Sequence, residues 1–413
     1  MSRSKSFIVV AAMILAAAWA PSCGAAEIVI GYSGPLSGPA AEYGEDCFSG
    51  VDMAIREINA RGGISIKGRV YSFRLEKMDD KVDPQTAISN AQRLRKDQKA
   101  IAIFNPVATT IVALMKINEE NRNEFILMSY TSMPQITEMG NRLLVNITTP
   151  FTVYAQTEAD IAWEKGWRKG AMVVTAGAYG DAWRKVFGGI WMKKGGTITA
   201  DKSANYYTRT DFAAPLTEAL ATDPDFLLIG GPSSTTVMII EQARAKGFEG
   251  GFVMIDQAKL DAIYPVMRKP LLLEGAIGLA RVKDIHYPAS QSFSDQYAAN
   301  YKRPLTWETV ANYTSMHALA KAIAAAGTPD NVRAIRAAFS GVFPLLGDQY
   351  PMEMFGISNH GRLIFQNVVQ TMKHGKFTEP KVFVWWLKTK REFDQIKKIS
   401  KGGNTLTWRP LEN

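Results

Sequence analysis

The 413-residue chain carries 48 Lys/Arg against 39 Asp/Glu, a formal charge of +9, with 46% hydrophobic residues and 2 cysteines. This composition is ordinary for a globular protein and excludes a disulfide scaffold or a low-complexity chain. The length calls for two domains. The charge is unevenly placed. Arg3 and Lys5 supply +2, and residues 388–413 hold seven Lys/Arg against three Asp/Glu, leaving about +3 on the main body. A basic tail on a near-neutral body, with no basic groove interleaved with aromatics, argues against a nucleic-acid partner.

Residues 1–26 read as a secretory signal. Arg3 and Lys5 form its positive start, Phe7 to Ala20 its apolar stretch, and Gly24 and Ala26 suit a small-residue cleavage site before Glu27. The apolar stretch is too short for a stable span, and no other segment approaches about 18 uninterrupted apolar residues, so a soluble periplasmic chain is expected. Ala20-Pro21-Ser22-Cys23 partly matches a lipoprotein box, with a lipid anchor at Cys23 as the alternative to simple cleavage. Once Cys23 is gone, Cys47 has no partner for an internal disulfide. It reads as a small structural thiol in the first turn of a helix.

Ile28–Tyr32 is the first predicted strand. A polar, glycine-rich loop follows, Gly31-Tyr32-Ser33-Gly34-Pro35-Leu36-Ser37-Gly38. It stands at the carboxyl end of a strand, where open α/β sheets bind small ligands. Phe48, Val51, Ile55 and Ile58 then fall on one helical face, and Gly62-Gly63 ends the helix. Tyr71, Phe73 and Leu75 alternate as a strand. Asp83 opens a helix over Pro84 to Arg95. Ala100–Phe104 and Phe125–Met128 read as strands around a helix from Thr109 to Asn121. Ala171–Thr175, Phe226–Ile229 and Phe252–Ile255 are three further apolar strands, mostly followed by helices. Such alternation implies βαβ units and largely parallel sheets. There are two series, one on each side of Asn146-Ile147-Thr148-Thr149-Pro150, with no flexible linker between them. Short crossings of this kind leave a cleft that can close by hinge motion. Phe393, Ile396 and Ile399 mark a surface helix near the carboxyl end, with a frayed end after it.

The loop after Ala100–Phe104, Asn105-Pro106-Val107-Ala108-Thr109-Thr110, starts a helix. Its backbone N–H groups at Ala108 and Thr109, with a threonine hydroxyl, suit a carboxylate. An ordinary helix cap by Thr109 explains the same residues.

Several motifs stand in order: Ser33-Gly34-Pro35, Tyr43-Gly44, Ile58-Asn59-Ala60-Arg61-Gly62-Gly63-Ile64, Asp79-Asp80 with Asp83-Pro84, Tyr179-Gly180, Thr210-Asp211-Phe212, and Gln242-Ala243-Arg244-Ala245-Lys246-Gly247. With them the chain, from Glu27 to about Leu387, resembles the branched-chain amino-acid binding proteins. These are the periplasmic substrate receptors of ABC transporters, similar to the leucine/isoleucine/valine-binding protein. The resemblance implies an α/β type I periplasmic binding protein fold: two Rossmann-like lobes, three crossover segments and an interlobe cleft. Crossings are expected near Asn146–Thr152, Glu274–Arg281 and Leu345–Phe355. Lobe 1 is expected to hold 27–148 plus 278–348, lobe 2 149–277 plus 349–390, and 391–413 a basic tail.

The resemblance also selects the cradle reading of Ala108 and Thr109. It implies that the loop of Tyr130 and Ser132 gives a carbonyl and a hydroxyl to the ligand head group. Asp256 matches the acidic residue that pairs with the ligand ammonium, and Tyr43 and Tyr179 match aromatics that cover the ligand from opposite lobes. Each has a plainer alternative: a helix cap for Ser132, a loop acid for Asp256, half-buried aromatics for the tyrosines. The chain departs from the family at Ala108, where a serine is usual, at Pro232, where an aromatic often lines the pocket, and in lacking the type member's cysteine pair. These departures bear on ligand specificity more than on head-group capture.

No dinucleotide or phosphate-binding glycine motif, nucleophile elbow or zinc motif is present, and His286, His317, His360 and His374 are scattered. No cofactor, metal or catalytic residue is expected. The expected partners are a small amino acid or carboxylate and the permease and ATPase subunits of an ABC transporter, with the receptor itself a monomer. A periplasmic sensor on the same fold, a receptor for an aromatic acid or amide, and a periplasmic enzyme are the alternatives.

Overall fold

The computed structural model describes residues 26–411. The charged and apolar parts of the expected signal, and Cys23, lie outside the described residues. Ala26, expected to end the signal, opens the first strand.

β1 (Ala26–Gly34) is buried from Ile28 onward. An unbroken buried run marks a strand covered on both faces, and β1 lies inside a six-stranded sheet. α1 (Ala41–Ala60) follows it, and β2 (Ile64–Ile66) and β3 (Arg69–Asp79) form an antiparallel hairpin. Next come α2 (Pro84–Lys96), β4 (Ala102–Asn105), α3 (Ala108–Leu114), β5 (Ile126–Ser129), α4 (Pro134–Glu138) and β6 (Leu144–Asn146). The sheet order is β2-β3-β1-β4-β5-β6, parallel apart from the hairpin. Asp83 caps α2 as expected, accepting from the Thr86 N–H at 2.7 Å, with Pro84 in the first turn. α3 ends at Leu114, well short of the expected Asn121. There the N–H groups of Lys116 and Ile117 turn to carbonyls three residues back, and Asn118 donates its side-chain amide to Asn141 at 3.1 Å.

The second series runs α5 (Phe151–Glu164), β7 (Lys169–Thr175), α6 (Ala178–Lys193), β8 (Thr197–Ala204), α7 (Ala213–Leu220), β9 (Phe226–Gly230), α8 (Ser233–Ala245), β10 (Gly251–Met254), α9 (Leu260–Val266) and β11 (Ile277–Leu279). The chain then returns to the first sheet's side with α10 (Pro288–Tyr301), α11 (Trp307–Ala326) and α12 (Val332–Ala338). β12 (Met354–Ile357) and β13 (Leu363–Phe365) form a hairpin, and the Asn146 N–H at the end of β6 donates to Gly361 at its turn, 2.7 Å. β14 (Asn367–Lys373), β15 (Lys376–Phe377), β16 (Lys381–Val384), α13 (Lys390–Ile399) and β17 (Leu406–Trp408) complete the chain. The second sheet is ordered β17-β16-β14-β11-β10-β9-β7-β8, with β15 beside β14.

Two details differ from the sequence-based expectation. The second sheet takes in Gly278 and Leu279, which the expected boundary gave to lobe 1, because β11 pairs with both β10 and β14. The end expected to fray is held. Leu406 and Trp408 belong to β17, which pairs in parallel with β16. Arg409 then reaches Asp160 at 3.2 Å and Glu164 at 2.9 Å on α5.

α1 and α11 pack with their backbones almost touching. A side chain at Gly50 would place its Cβ 2.2 Å from the Thr309 carbonyl. Only a residue without Cβ permits that approach, and the α10–α12 segment is seated on lobe 1 through it. Gly50→Ala is therefore expected to destabilise the fold by about 1–3 kcal/mol, the usual cost of overpacking. Urea unfolding of the two proteins measures it, and an unchanged midpoint would contradict the packing.

Candidate functional site

The loops at the carboxyl ends of the first sheet are built around Asn105. Its side-chain amide donates to the Ser33 carbonyl at 2.7 Å and to Asp80 at 3.0 Å. Its oxygen accepts from the Val107 N–H at 3.1 Å and the Thr110 hydroxyl at 2.7 Å. Asn105 thus sets the start of α3. Thr110 is buried and its hydroxyl is engaged, so of the two cradle threonines only Thr109 is exposed; Ala108 is half-buried. Tyr43 donates its hydroxyl to the Pro106 carbonyl at 2.9 Å, and its ring centre lies 6.1 Å from that of Tyr130. Tyr130 and Ser132 are buried at the end of β5.

On the second lobe, Asp256 follows β10. One of its carboxylate oxygens accepts from the Tyr179 hydroxyl and, at 2.8 Å, from the Trp183 indole N–H. Trp183 in turn stacks on Phe151, with ring centres 5.4 Å apart. Burial, then the Asp256 charge, push the Tyr179 phenol well above its ordinary pKa, and Ser132 and Trp183 oppose that rise. The Ser132 hydroxyl therefore approaches Tyr179 across the lobes, though it makes no well-formed hydrogen bond.

Tyr130 and Asp256 line one interlobe cavity, together with Thr148, Tyr154, Lys259 and Trp307. Its volume is about 20 Å³, room for little more than one water. No amino acid enters a space of that size unless the lobes part or side chains move. Tyr43, Ser132 and Tyr179 touch this cavity's walls from behind through the contacts above. Ala108 and Thr109 are not among its lining residues.

Sequence reasoning missed the buried charges. Lys259, 5% exposed, pairs with Glu308, 3% exposed, at 3.0 Å, and also donates to the Asp256 carbonyl. Lys259 stands beside α9 of the second lobe and Glu308 on α11 of the first. Glu158 on α5 is fully buried, and among the described residues neither of its carboxylate oxygens has a hydrogen-bond partner. Lys259, three residues past Asp256, was the available signal, since a lysine beside a cleft acid calls for a counter-ion. Tyr154 and Trp307 carried none, because they reach the cavity through tertiary packing. Arg362 braces the crossing that supplies Thr148. It is 5% exposed and donates to the carbonyls of Thr148 at 2.7 Å and Met133 at 2.9 Å.

Burial, foremost, pushes the free Cys47 thiol well above its ordinary pKa, the opposite of nucleophile activation. Among the described residues no group of three or more His, Cys, Asp or Glu is placed to hold a metal ion, and no helix is long and apolar enough to cross a membrane.

The model of a family described as periplasmic binding protein matches residues 27–373. The Leu/Ile/Val-binding protein of Escherichia coli is 27% identical over 302 residues, covering 71% of this chain and 79% of that protein. An amino acid binding protein of Pseudomonas aeruginosa is 24% identical over 317 residues, 75% of this chain and 81% of that one. Among solved structures, a branched-chain amino acid transporter substrate binding protein of Streptococcus pneumoniae, in complex with isoleucine, superposes with a TM-score of 0.72 at 22% identity. It covers 86% of this chain and 99% of its own. A solute binding protein of an ABC transporter from R. palustris, in complex with benzoate, gives 0.72 at 18% identity, covering 85% and 95%.

The unpartnered Glu158 has a consequence for stability. Burial holds its carboxyl well above the usual range; the Asp256 charge adds to the rise and Lys259 opposes it. From the ordinary glutamate range, about 4.3, up to the raised folded value, the folded protein keeps a proton that the unfolded chain has lost. Wild-type stability therefore falls as pH rises through that window. Glu158→Gln removes this dependence. Its stability relative to wild type is expected to be higher at about pH 8 than at about pH 5 in urea unfolding, and an equal difference at both would refute the assignment.

Proposed function

Since the chain belongs to the periplasmic binding protein family, we propose that it is the extracytoplasmic receptor of an ABC importer, capturing an amino acid or related small carboxylate and delivering it to the permease. The family is one of substrate-binding proteins, not of enzymes, and the chain has its type I fold. One observation carries the finer reading: Tyr130 of the first lobe and Asp256 of the second line the same narrow cavity. In this reading the chain is exported by its leader to the periplasm and acts as a monomer. The ligand's carboxylate is held by the N–H groups of Ala108 and Thr109 and the Thr109 hydroxyl once the lobes close around it. Its ammonium is held by the Tyr130 carbonyl and Asp256, with Ser132 beside them and Tyr43 and Tyr179 as covers. Tyr179 and Trp183 both donate to one oxygen of Asp256. Their donation fixes the direction in which the carboxylate would meet an ammonium.

An aromatic acid is the second reading. The cavity wall is rich in rings, with Tyr130, Tyr154, Trp307 and Phe365. A flat ligand gains from such faces, and the R. palustris relative of the same fold was solved with benzoate. A thermal-shift screen over amino acids and benzoates separates the two, because a ligand specific to the folded state raises its stability by mass action.

If Asp256 selects an amine, Asp256→Asn removes the charge while keeping an acceptor for Tyr179 and Trp183. Breaking a buried charge pair typically costs about 2–5 kcal/mol. Calorimetric titration should show an amino acid weakened at least tens-fold, with a benzoate much less affected. An amino-acid affinity equal to wild type removes Asp256 from the site.

Lobe closure is the second expectation. A ligand touching both lobes favours the state in which all its contacts form together. Small-angle scattering of protein stripped of co-purified solute should show a larger radius of gyration than the saturated complex. Equal radii in the two samples would count against hinge closure.

A further inference from the structure

A second cleft, of about 360 Å³, opens on the first lobe away from the interlobe cavity. It is reached from the amino end of β6, through Gly140 to Leu143, whereas Thr148 of the interlobe cavity follows the carboxyl end of that strand. Arg333 and Arg336, one turn apart on α12, form one wall. Arg142 and the exposed His360, at the turn of the β12–β13 hairpin, form the others. No acidic residue lines it.

The three guanidinium groups are not equivalent. Arg142, 70% exposed, pairs with Glu119 at 3.2 Å, and Arg333, 50% exposed, with Glu124 at 2.9 Å. Arg336 is half-buried and donates its Nε to the Leu144 carbonyl at 2.8 Å, yet no carboxylate pairs with it among the described residues. Burial alone acts on its pKa, downward, with no acidic neighbour offsetting it. A half-buried cation without a counter-ion is costly. The loop leaves room for its fork, since Gly361 brings only a hydrogen toward Nη2 where a side chain would come to 3.0 Å.

We infer that this cleft is a binding site for a phosphate group, seated on Arg336 and flanked by Arg142, Arg333 and His360. The planar fork of Arg336 offers two parallel donors to one oxyanion. A tetrahedral phosphate oxyanion also presents oxygens toward the rim cations, which a planar carboxylate held by the same fork does not. The volume exceeds what the bare ion fills and leaves space for the group that carries it. A soluble phosphate monoester and the head group of an anionic phospholipid share this chemistry.

The test titrates the full mature protein with glycerophosphate, followed by thermal shift and phosphorus NMR, against chloride at matched ionic strength. In parallel it is sedimented with phosphatidylglycerol vesicles and with phosphatidylcholine vesicles. Arg336→Gln should weaken binding at least about tenfold, the loss expected for charge-assisted hydrogen bonds. Arg142→Gln, at an exposed rim position that leaves the fold intact, should weaken it about threefold. Interlobe solute affinity should stay unchanged in the Arg142 variant. Glycerophosphate binding assigns the site to a soluble ester, and binding to phosphatidylglycerol vesicles alone assigns it to the membrane. Binding of neither probe, binding matched by chloride, or binding insensitive to both substitutions overturns the inference.

Discussion

Lys259 and Glu308 set opposite charges 3.0 Å apart across the seam between the lobes, both nearly excluded from water. Taking two ions out of water is expensive, and only good geometry and extra hydrogen bonds offset it. Lys259 finds one such bond at the Asp256 carbonyl, whereas Glu308 has none among the described residues, so the pair is only partly compensated. The seam therefore sets an ion pair into a lining that is otherwise largely apolar and aromatic. That choice has a mechanical result. Water can replace the pair when the lobes part, so opening re-solvates two ions, while the rings and aliphatic side chains of the lining are exposed to water at a cost. A purely hydrophobic seam of the same size would resist opening with its whole buried area. An ion pair favours closure through one short-range contact that a ligand can reinforce or displace.

The same seam explains why Asp256 is a sensitive position. Its carboxylate is fixed by Tyr179 and Trp183, and Trp183 stacks on Phe151. Phe151 is the first residue of α5, immediately after the first crossing, and its N–H donates to the Ser132 carbonyl at 2.8 Å. A continuous set of packed and hydrogen-bonded groups thus runs from the first-lobe loop through the crossing to the second-lobe acid. In the proposed receptor, recognition and hinge would share residues.

Much of this fold is legible in the sequence, for physical reasons that differ by element. Phe226–Ile229 and Phe252–Ile255 are continuous apolar runs because their strands are covered on both faces, and α2 announces itself through Asp83 and Pro84. α3 was overextended because its apolar pattern continues past Leu114, while the Asn118 amide, bonding Asn141 far along the chain, bends the backbone out of the helix. β17 was missed because three residues in a lysine-rich tail carry little local signal. Its stability comes from β16 and from Arg409 against α5. At the site, Tyr130 and Asp256 were found by resemblance, and they do meet at one cavity. Glu308 and Glu158 were not, since no local pattern marks their burial, and Lys259 offered only its place three residues past Asp256. Only the folded contacts reveal the burial.

The charges at the cavity wall bear further on the proposed choice of ligand. Asp256 and Lys259 line the cavity, with Glu308 paired to Lys259 and Glu158 buried behind. Lys259 is the one basic side chain in that lining. A solute with a carboxylate alone would have to compete for Lys259 against Glu308 already in place. In the proposed site, a solute that also carries an ammonium would offset Asp256 without disturbing the Lys259–Glu308 pair. A flat acid without an amine must instead draw its affinity from the rings, and its carboxylate from donors away from Asp256. Under the proposed receptor reading, charge balance at this seam, more than pocket shape, is what would separate an amino acid from an aromatic acid.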